Sequence, residues 1–167
     1  MWGYSGYTCW RGICSGDGID LHRGFFETLG DGNRFGGVNI GHNQIYWYAT
    51  LNTTPDKKFA LLSGHQKLLK ILGDWHQPIP HIITKTSPSD IIRHDIYDRP
   101  PVSGWSDGAV VLVGDAIHPT LPVLGQGASM AIESATTLSK MLALWSINEA
   151  LQKYEESRKE RTKNITT

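Results

Sequence analysis

Cysteine is nearly absent from this sequence: Cys9 and Cys14 form a single C-x4-C pair, with no second pair and no nearby histidine to complete a ligand set. A zinc site needs more ligands than that, so the two are read as reduced structural thiols and no metal is expected. Excess charge of either sign is also missing, since 16 Lys and Arg face 16 Asp and Glu. That balance removes the basic footprint of a nucleic-acid binder or a membrane-surface protein and favours a small-molecule partner. No run reaches the ~18 to 20 apolar residues of a membrane helix, and the N-terminus has neither the basic region nor the apolar core of a targeting signal. The expected location is cytoplasmic. Internal repeats and low-complexity segments are missing too. The chain opens on Met1-Trp2-Gly3-Tyr4-Ser5-Gly6-Tyr7, strand-like sequence with no cap or turn before it, which reads as a cut through a fold.

What is present begins with short aromatic and β-branched runs separated by glycine: Tyr4 to Ile13, Phe25 to Leu29, Arg34 to Ile40 and Gln44 to Thr50. They predict an antiparallel sheet. In the last run Ile45, Trp47 and Ala49 alternate with Tyr46, Tyr48 and Thr50, so both faces carry apolar or aromatic groups and one is expected to line a pocket. Trp10, Tyr46 and Trp47 are the candidate pocket aromatics. From Asp56 to Trp75 the leucines follow helical spacing, with Gly64 expected to break the helix. Pro78 and Pro80 suit the start of a short helix through Thr84. A strand is predicted over Ile91 to Tyr97. Ala109-Val110-Val111-Leu112-Val113 is apolar throughout, which predicts a strand buried on both faces. Ala128, Ala131, Ile132, Ala135, Leu138 and Leu142 then mark a helix with small residues early in it, and Ile147 to Lys163 a last, charged helix.

The chemistry concentrates between the apolar strand and the small-residue helix, in Gly114-Asp115-Ala116-Ile117-His118-Pro119-Thr120-Leu121-Pro122-Val123-Leu124-Gly125-Gln126-Gly127-Ala128. A carboxylate just past the end of a strand is placed to catch a ligand hydroxyl, which makes Asp115 a candidate and Gly114 the residue that leaves room for it. Gly125 and Gly127 let backbone approach a ligand, and the free N–H groups that open a helix carry partial positive charge. An electron-rich group should bind there. A phosphate and a reduced flavin both fit, and the residues alone do not choose between them. The dinucleotide fingerprint Gly-x-Gly-x-x-Gly is missing, because Gly125-Gln126-Gly127-Ala128-Ser129-Met130 supplies only two of its glycines and no second strand follows the helix.

Val111-Leu112-Val113-Gly114-Asp115-Ala116, His118-Pro119, Pro122 and Leu124-Gly125-Gln126-Gly127-Ala128 together resemble the GD-motif region of class A FAD-dependent monooxygenases, the group containing hydroxybenzoate hydroxylase. Tyr4-Ser5-Gly6-Tyr7-Thr8-Cys9, Trp10-Arg11-Gly12 and Asp95-Ile96-Tyr97-Asp98-Arg99-Pro100 look like zeaxanthin epoxidase and FAD-dependent urate hydroxylase relatives. The resemblance implies FAD as cofactor, NAD(P)H as transient reductant, and dioxygen with a small aromatic or unsaturated molecule as substrates. By the same resemblance Gly114, Asp115, Gly125, Gln126, Gly127, Ala128 and Ser129 are the cofactor-binding residues, Pro122 lies near the flavin face where oxygen reacts, and Arg11 faces the substrate. Ser134 departs from the family's usual aspartate, and Ile117 from a smaller residue.

The expected fold is α/β, as an α+β fragment: a substrate-side antiparallel sheet with helices over residues 1–90, then the buried strand, GD-motif loop and C-terminal helices of a FAD-binding domain over 91–167. The family's N-terminal dinucleotide-binding unit has no counterpart here, so a missing N-terminal half is the partner this reading calls for. The alternative is a non-catalytic truncated product or interaction remnant of such an enzyme. Plainer roles are weighed for several residues. His118 reads as a turn residue, and a metal pair with Asp115 and a third ligand in His94 lacks any spacing signature. Asp98 and Arg99 read as a structural ion pair, Glu133 as a polar-face residue, and the Glu155 to Arg161 charges as a solvated helix.

Overall fold

The computed structural model describes residues 2–21, 24–55 and 61–166. They fall into two compact units, Tyr4–Ile96 and Tyr97–Thr167 with the N-terminal Met1–Gly3.

The first unit is built on a five-stranded sheet in the order β2-β3-β4-β1-β5, from β1 (Gly3–Ser15), β2 (Phe25–Leu29), β3 (Asn33–Gly41), β4 (Gln44–Asn52) and β5 (Ile92–Asp98). The β1–β4, β3–β4 and β2–β3 pairs are antiparallel. The strict alternation of β4 decides which face is which: Ile45, Trp47, Ala49 and Leu51 are buried while Tyr46, Tyr48 and Thr50 are half-buried. Register carries that division across the sheet. Arg11 pairs with Tyr48 and Ile13 with Tyr46 on the open face, whereas Trp10 pairs with Ala49 on the covered one.

Helices α1 (Leu61–Leu72) and α2 (Ile79–Lys85) cover the apolar face. Leu68, Leu72, Ile79, Ile82 and Ile83 are fully buried there with Trp10, Phe35, Trp47 and Ile91. Phe35 stacks on Trp47 at 5.6 Å. Each such aliphatic side chain contributes about 1.5 to 3 kcal/mol on burial. That exceeds the roughly 1 kcal/mol an internal glycine costs a helix, which explains why α1 runs unbroken through Gly64, against expectation. Residues 56–60 of the expected helix lie outside the described residues. Trp10 and Trp47, expected in the pocket, sit in this core instead. The Trp47 Nε1–H is satisfied by Thr86 Oγ1 at 2.8 Å.

The second unit holds a small ribbon, β6 (Ser106–Asp107) and β7 (Val110–Val111), and two long helices, α3 (Gly127–Leu144) and α4 (Ile147–Thr166). Trp105, Ile117 and Tyr154 form its core, with Val111, Leu138 and Met141 against them. The buried five-residue strand is not found. Only Val110 and Val111 are extended in pairing, and Val110, Leu112 and Val113 are exposed. The all-apolar pattern reports that both faces suit burial, but nothing among the described residues of this unit covers them.

Candidate functional site

Gly114 to Ala116 form a single 3-10 turn after β7, and Gly114 enters it at φ +58°, a left-handed conformation that glycine adopts without steric cost. The Gly114 carbonyl accepts from the backbone of Ile117 at 3.0 Å and of His118 at 2.9 Å, which closes the turn. Asp115 is thereby presented at the surface, and its carboxylate makes no hydrogen bond among the described residues. The chain then passes through a second 3-10 turn, Pro122–Leu124, which Gly125 terminates at φ +63°. Pro122 is exposed as the first residue of that turn.

The loop returns on itself at α3. A Cβ placed on Gly127 would lie 3.3 Å from Thr120 Oγ1 and 4.0 Å from Asp115 Oδ1, so the first residue of the helix and the carboxylate are neighbours. Gln126 is the N-cap and contributes no side-chain cap, and the first turn holds no acidic residue. Its leading N–H groups therefore lack intrahelical partners and carry the positive end of the helix dipole. Ala128 and Ser129 are exposed in that turn. The structure thus brings Gly114, Asp115, Gly127, Ala128 and Ser129 to one place, an acceptor for a ligand hydroxyl beside donors for an electron-rich edge. That donor and acceptor set suits a flavin with its polyol side chain.

Behind the loop lies a polar network that sequence reading missed. His118 is buried, and its Nε2 is 2.8 Å from Ser134 Oγ, which also accepts from Arg158 Nε at 3.2 Å. Burial holds the His118 imidazole below its ordinary pKa and so favours the neutral ring. Arg158 Nη1 donates to Glu133 at 2.6 Å, and Arg161 donates to the same carboxylate at 2.8 Å. Hydrogen bonds from Arg161 and Arg158 hold the Glu133 carboxyl down at about 2. Glu133 is therefore tied to α4 and is no mere polar-face residue. The expected solvated helix is likewise corrected: Arg158 turns inward, and Glu155 accepts from the backbone of Gly104 and Trp105 at 3.0 and 2.9 Å. Nor do Asp98 and Arg99 form the expected ion pair. Arg99 Nη2 donates to the Ala116 and Ile117 carbonyls at 2.8 and 3.0 Å, while the Asp98 carboxylate takes the Arg99 backbone N–H at 2.7 Å.

The sheet unit carries its own cavity, about 690 Å³, on the face away from α1. That falls in the range of small-ligand pockets. Arg11, Tyr46, His94 and Lys85 supply its polar wall, and Ile13 and Ile92 its apolar one. Arg11 Nη2 lies 2.9 Å from His94 Nδ1. A guanidinium can only donate, so Nδ1 accepts and the His94 proton resides on Nε2. The Arg11 Nε is buried and without a partner among the described residues. Cys14 also borders the cavity, and burial raises its thiol pKa, which keeps it protonated. Of the candidate aromatics only Tyr46 is here, because the β4 alternation sends Trp47 to the other face. His94 gave no sequence signal, since it lies 83 residues from Arg11 and meets it only through sheet pairing.

Residues 41–167 match the FAD binding domain family. Aurachin C monooxygenase/isomerase from Stigmatella aurantiaca is 42% identical over 165 residues, spanning 97% of this chain and 42% of that protein. Chloroplastic zeaxanthin epoxidase from Solanum lycopersicum is 38% identical over 137 residues, spanning 81% of this chain and 20% of that protein. Among solved structures, Klebsiella pneumoniae HpxO in complex with FAD and uric acid superposes with a TM-score of 0.89 at 26% identity, covering 99% of this chain and 43% of that one. The chain spans less than half the length of each of these relatives. With that match over most of its length, the chain belongs to the FAD binding domain family.

Proposed function

We propose that this chain supplies the flavin-ring side and the substrate-facing sheet of an NAD(P)H-using monooxygenase that hydroxylates or epoxidises a small aromatic or unsaturated molecule with dioxygen. The observation that carries this reading is the exposed Asp115 carboxylate, unbonded among the described residues, beside the start of α3, which has no side-chain cap. When bound, FAD supplies the activation of dioxygen that delivers one oxygen atom to the substrate. Asp115 accepts a hydrogen bond from a ribityl hydroxyl. The leading N–H groups of α3, at Gly127, Ala128 and Ser129, stabilise negative charge on the ring edge without reorganising. Gly114, Gly125 and Gln126 would shape the backbone so that the ring can approach, and Pro122 would stand beside it. In the sheet unit, Arg11 and the His94 Nε2–H orient a substrate oxygen while Ile13 and Ile92 keep water from its carbon skeleton.

The test is flavin retention. Asp115→Ala should lower FAD affinity by about tenfold or more, the loss of a charge-assisted hydrogen bond of roughly 1.5 to 3 kcal/mol. Equal retention of yellow protein by the variant and the parent rejects the assignment.

A second reading, a chain that acts only when paired with a complementary unit, is favoured by one observation. Val110, Leu112 and Val113 are exposed at 69, 42 and 41%, and Ile132 on α3 at 67%, an apolar surface that a solvated unit would not retain without a partner. It predicts colourless protein when the chain is purified alone and mixed with FAD.

A further inference from the structure

We infer that Arg99 is a positioning residue for flavin binding: by holding the carbonyls of the Gly114–Ala116 turn it sets where the Asp115 carboxylate points. This deepens the reading of the 114–129 loop as a flavin site and rests on it. The Asp115 side chain makes no hydrogen bond among the described residues, so its placement rests on the backbone that sets the origin and direction of its Cα–Cβ bond. That backbone is held from within by the Gly114 carbonyl, which takes the N–H groups of Ile117 and His118. From outside it is held by Arg99, whose Nη2 donates to the carbonyls of Ala116 at 2.8 Å and Ile117 at 3.0 Å. Carbonyls at the end of a helical turn have no partner in that turn and form its negative end, so a cation there satisfies them twice over.

Arg99 is itself fixed on three sides. Its backbone N–H is capped by the Asp98 carboxylate at 2.7 Å, its guanidinium lies 5.5 Å from the Trp2 ring centroid, and Pro100-Pro101 stiffen the chain that follows. A planar guanidinium held this way presents its donors to both carbonyls in one fixed geometry. An ammonium on a flexible stem keeps the charge but not that geometry.

The experiment titrates FAD, by quenching of flavin fluorescence, into the wild-type protein and the Arg99→Ala and Arg99→Lys variants. Thermal unfolding without flavin and amide exchange at Ile117 and His118 are read in parallel. Arg99→Ala should bind FAD about tenfold more weakly, the scale of losing a charge-assisted hydrogen bond. Its Ile117 and His118 amides should exchange faster while the unfolding midpoint changes little. Arg99→Lys, which keeps the charge but not the geometry, should recover only part of the affinity, and millimolar guanidinium ion should restore Arg99→Ala but not Asp115→Ala. If wild-type protein binds no FAD, alone or with a complementary unit, the flavin reading of the loop fails and the role of Arg99 with it. If wild-type binds and Arg99→Ala binds equally, the role of Arg99 alone fails. Affinity lost strictly in step with the unfolding midpoint, with no rescue by guanidinium or lysine, makes Arg99 a fold residue and overturns the proposal.

Discussion

Replacing Arg158 with methionine isolates the contact that joins the two long helices behind the loop. The Arg158 side chain is 6% exposed and its partner Glu133 35% exposed. Breaking a fully buried ion pair costs about 3 to 5 kcal/mol, whereas a solvated pair is worth about 0 to 1. Here one end is buried and the other partly open, and Glu133 keeps Arg161 at 2.8 Å, so no orphaned charge remains. The loss should fall between those limits, about 2 kcal/mol, and most of it reflects the Arg158 bonds to Ser134 Oγ at 3.2 Å and the Met130 carbonyl at 3.3 Å. Because the chain has two compact units, the assay is amide hydrogen exchange resolved along α3 and α4, not a single global melt. A loss of that size raises the local opening constant about 30-fold.

The pH dependence has a definite sign. Glu133 has its carboxyl lowered from 4.5 to about 2 in the folded chain, so its contribution is present above about pH 4.5 and is lost as pH falls toward 2. The gap between wild type and Arg158→Met should be full at pH 7 and shrink through that window. Equal protection at pH 7 refutes the reasoning about the buried arginine. A gap as wide near pH 2.5 as at pH 7 refutes the part assigned to the ion pair.

Gly12→Ala would place a methyl 2.8 Å from the Trp47 ring and 2.9 Å from its Nε1, against a side chain with no exposed surface. The cost should be about 1 to 3 kcal/mol in urea unfolding of the sheet unit, with a changed tryptophan emission, and an unmoved midpoint contradicts it. Tyr48, whose phenol is pushed up to about 12 by burial and then by the Glu27 carboxylate it donates to, should ionise well above the ordinary tyrosine value in an ultraviolet titration. Since the folded value lies above the unfolded 10, its contribution is whole below about pH 10 and disappears as pH rises through 12. Glu27→Gln should lower that ionisation without abolishing the shift, because burial remains; no movement on substitution argues against the Glu27 contact.

Apart from the buried strand expected over 109–113 and the break expected at Gly64, the strands and helices were legible in the sequence because their signals are local. Alternation in Gln44 to Thr50 and leucine spacing from Leu61 to Leu72 both report backbone period, and period does not depend on distant residues. Gly114 and Gly125 were legible as places of close approach, while their left-handed φ came only with the turns that hold them. Tertiary structure alone decided the rest. Which face of β4 meets the helices could not be read from a run apolar on both sides, and packing against α1 and α2 sent Trp10 and Trp47 to the core and left Tyr46 at the cavity. Nor could the sequence place His94 against Arg11, since 83 intervening residues separate two side chains that strand register brings within 2.9 Å. Arg99 and Arg158 looked like partners for the nearest carboxylate or for water. Chain folding instead turned one toward the carbonyls of a turn 17 residues away and the other toward a helix 25 residues back, because long flexible cations take their partners from space, not from sequence.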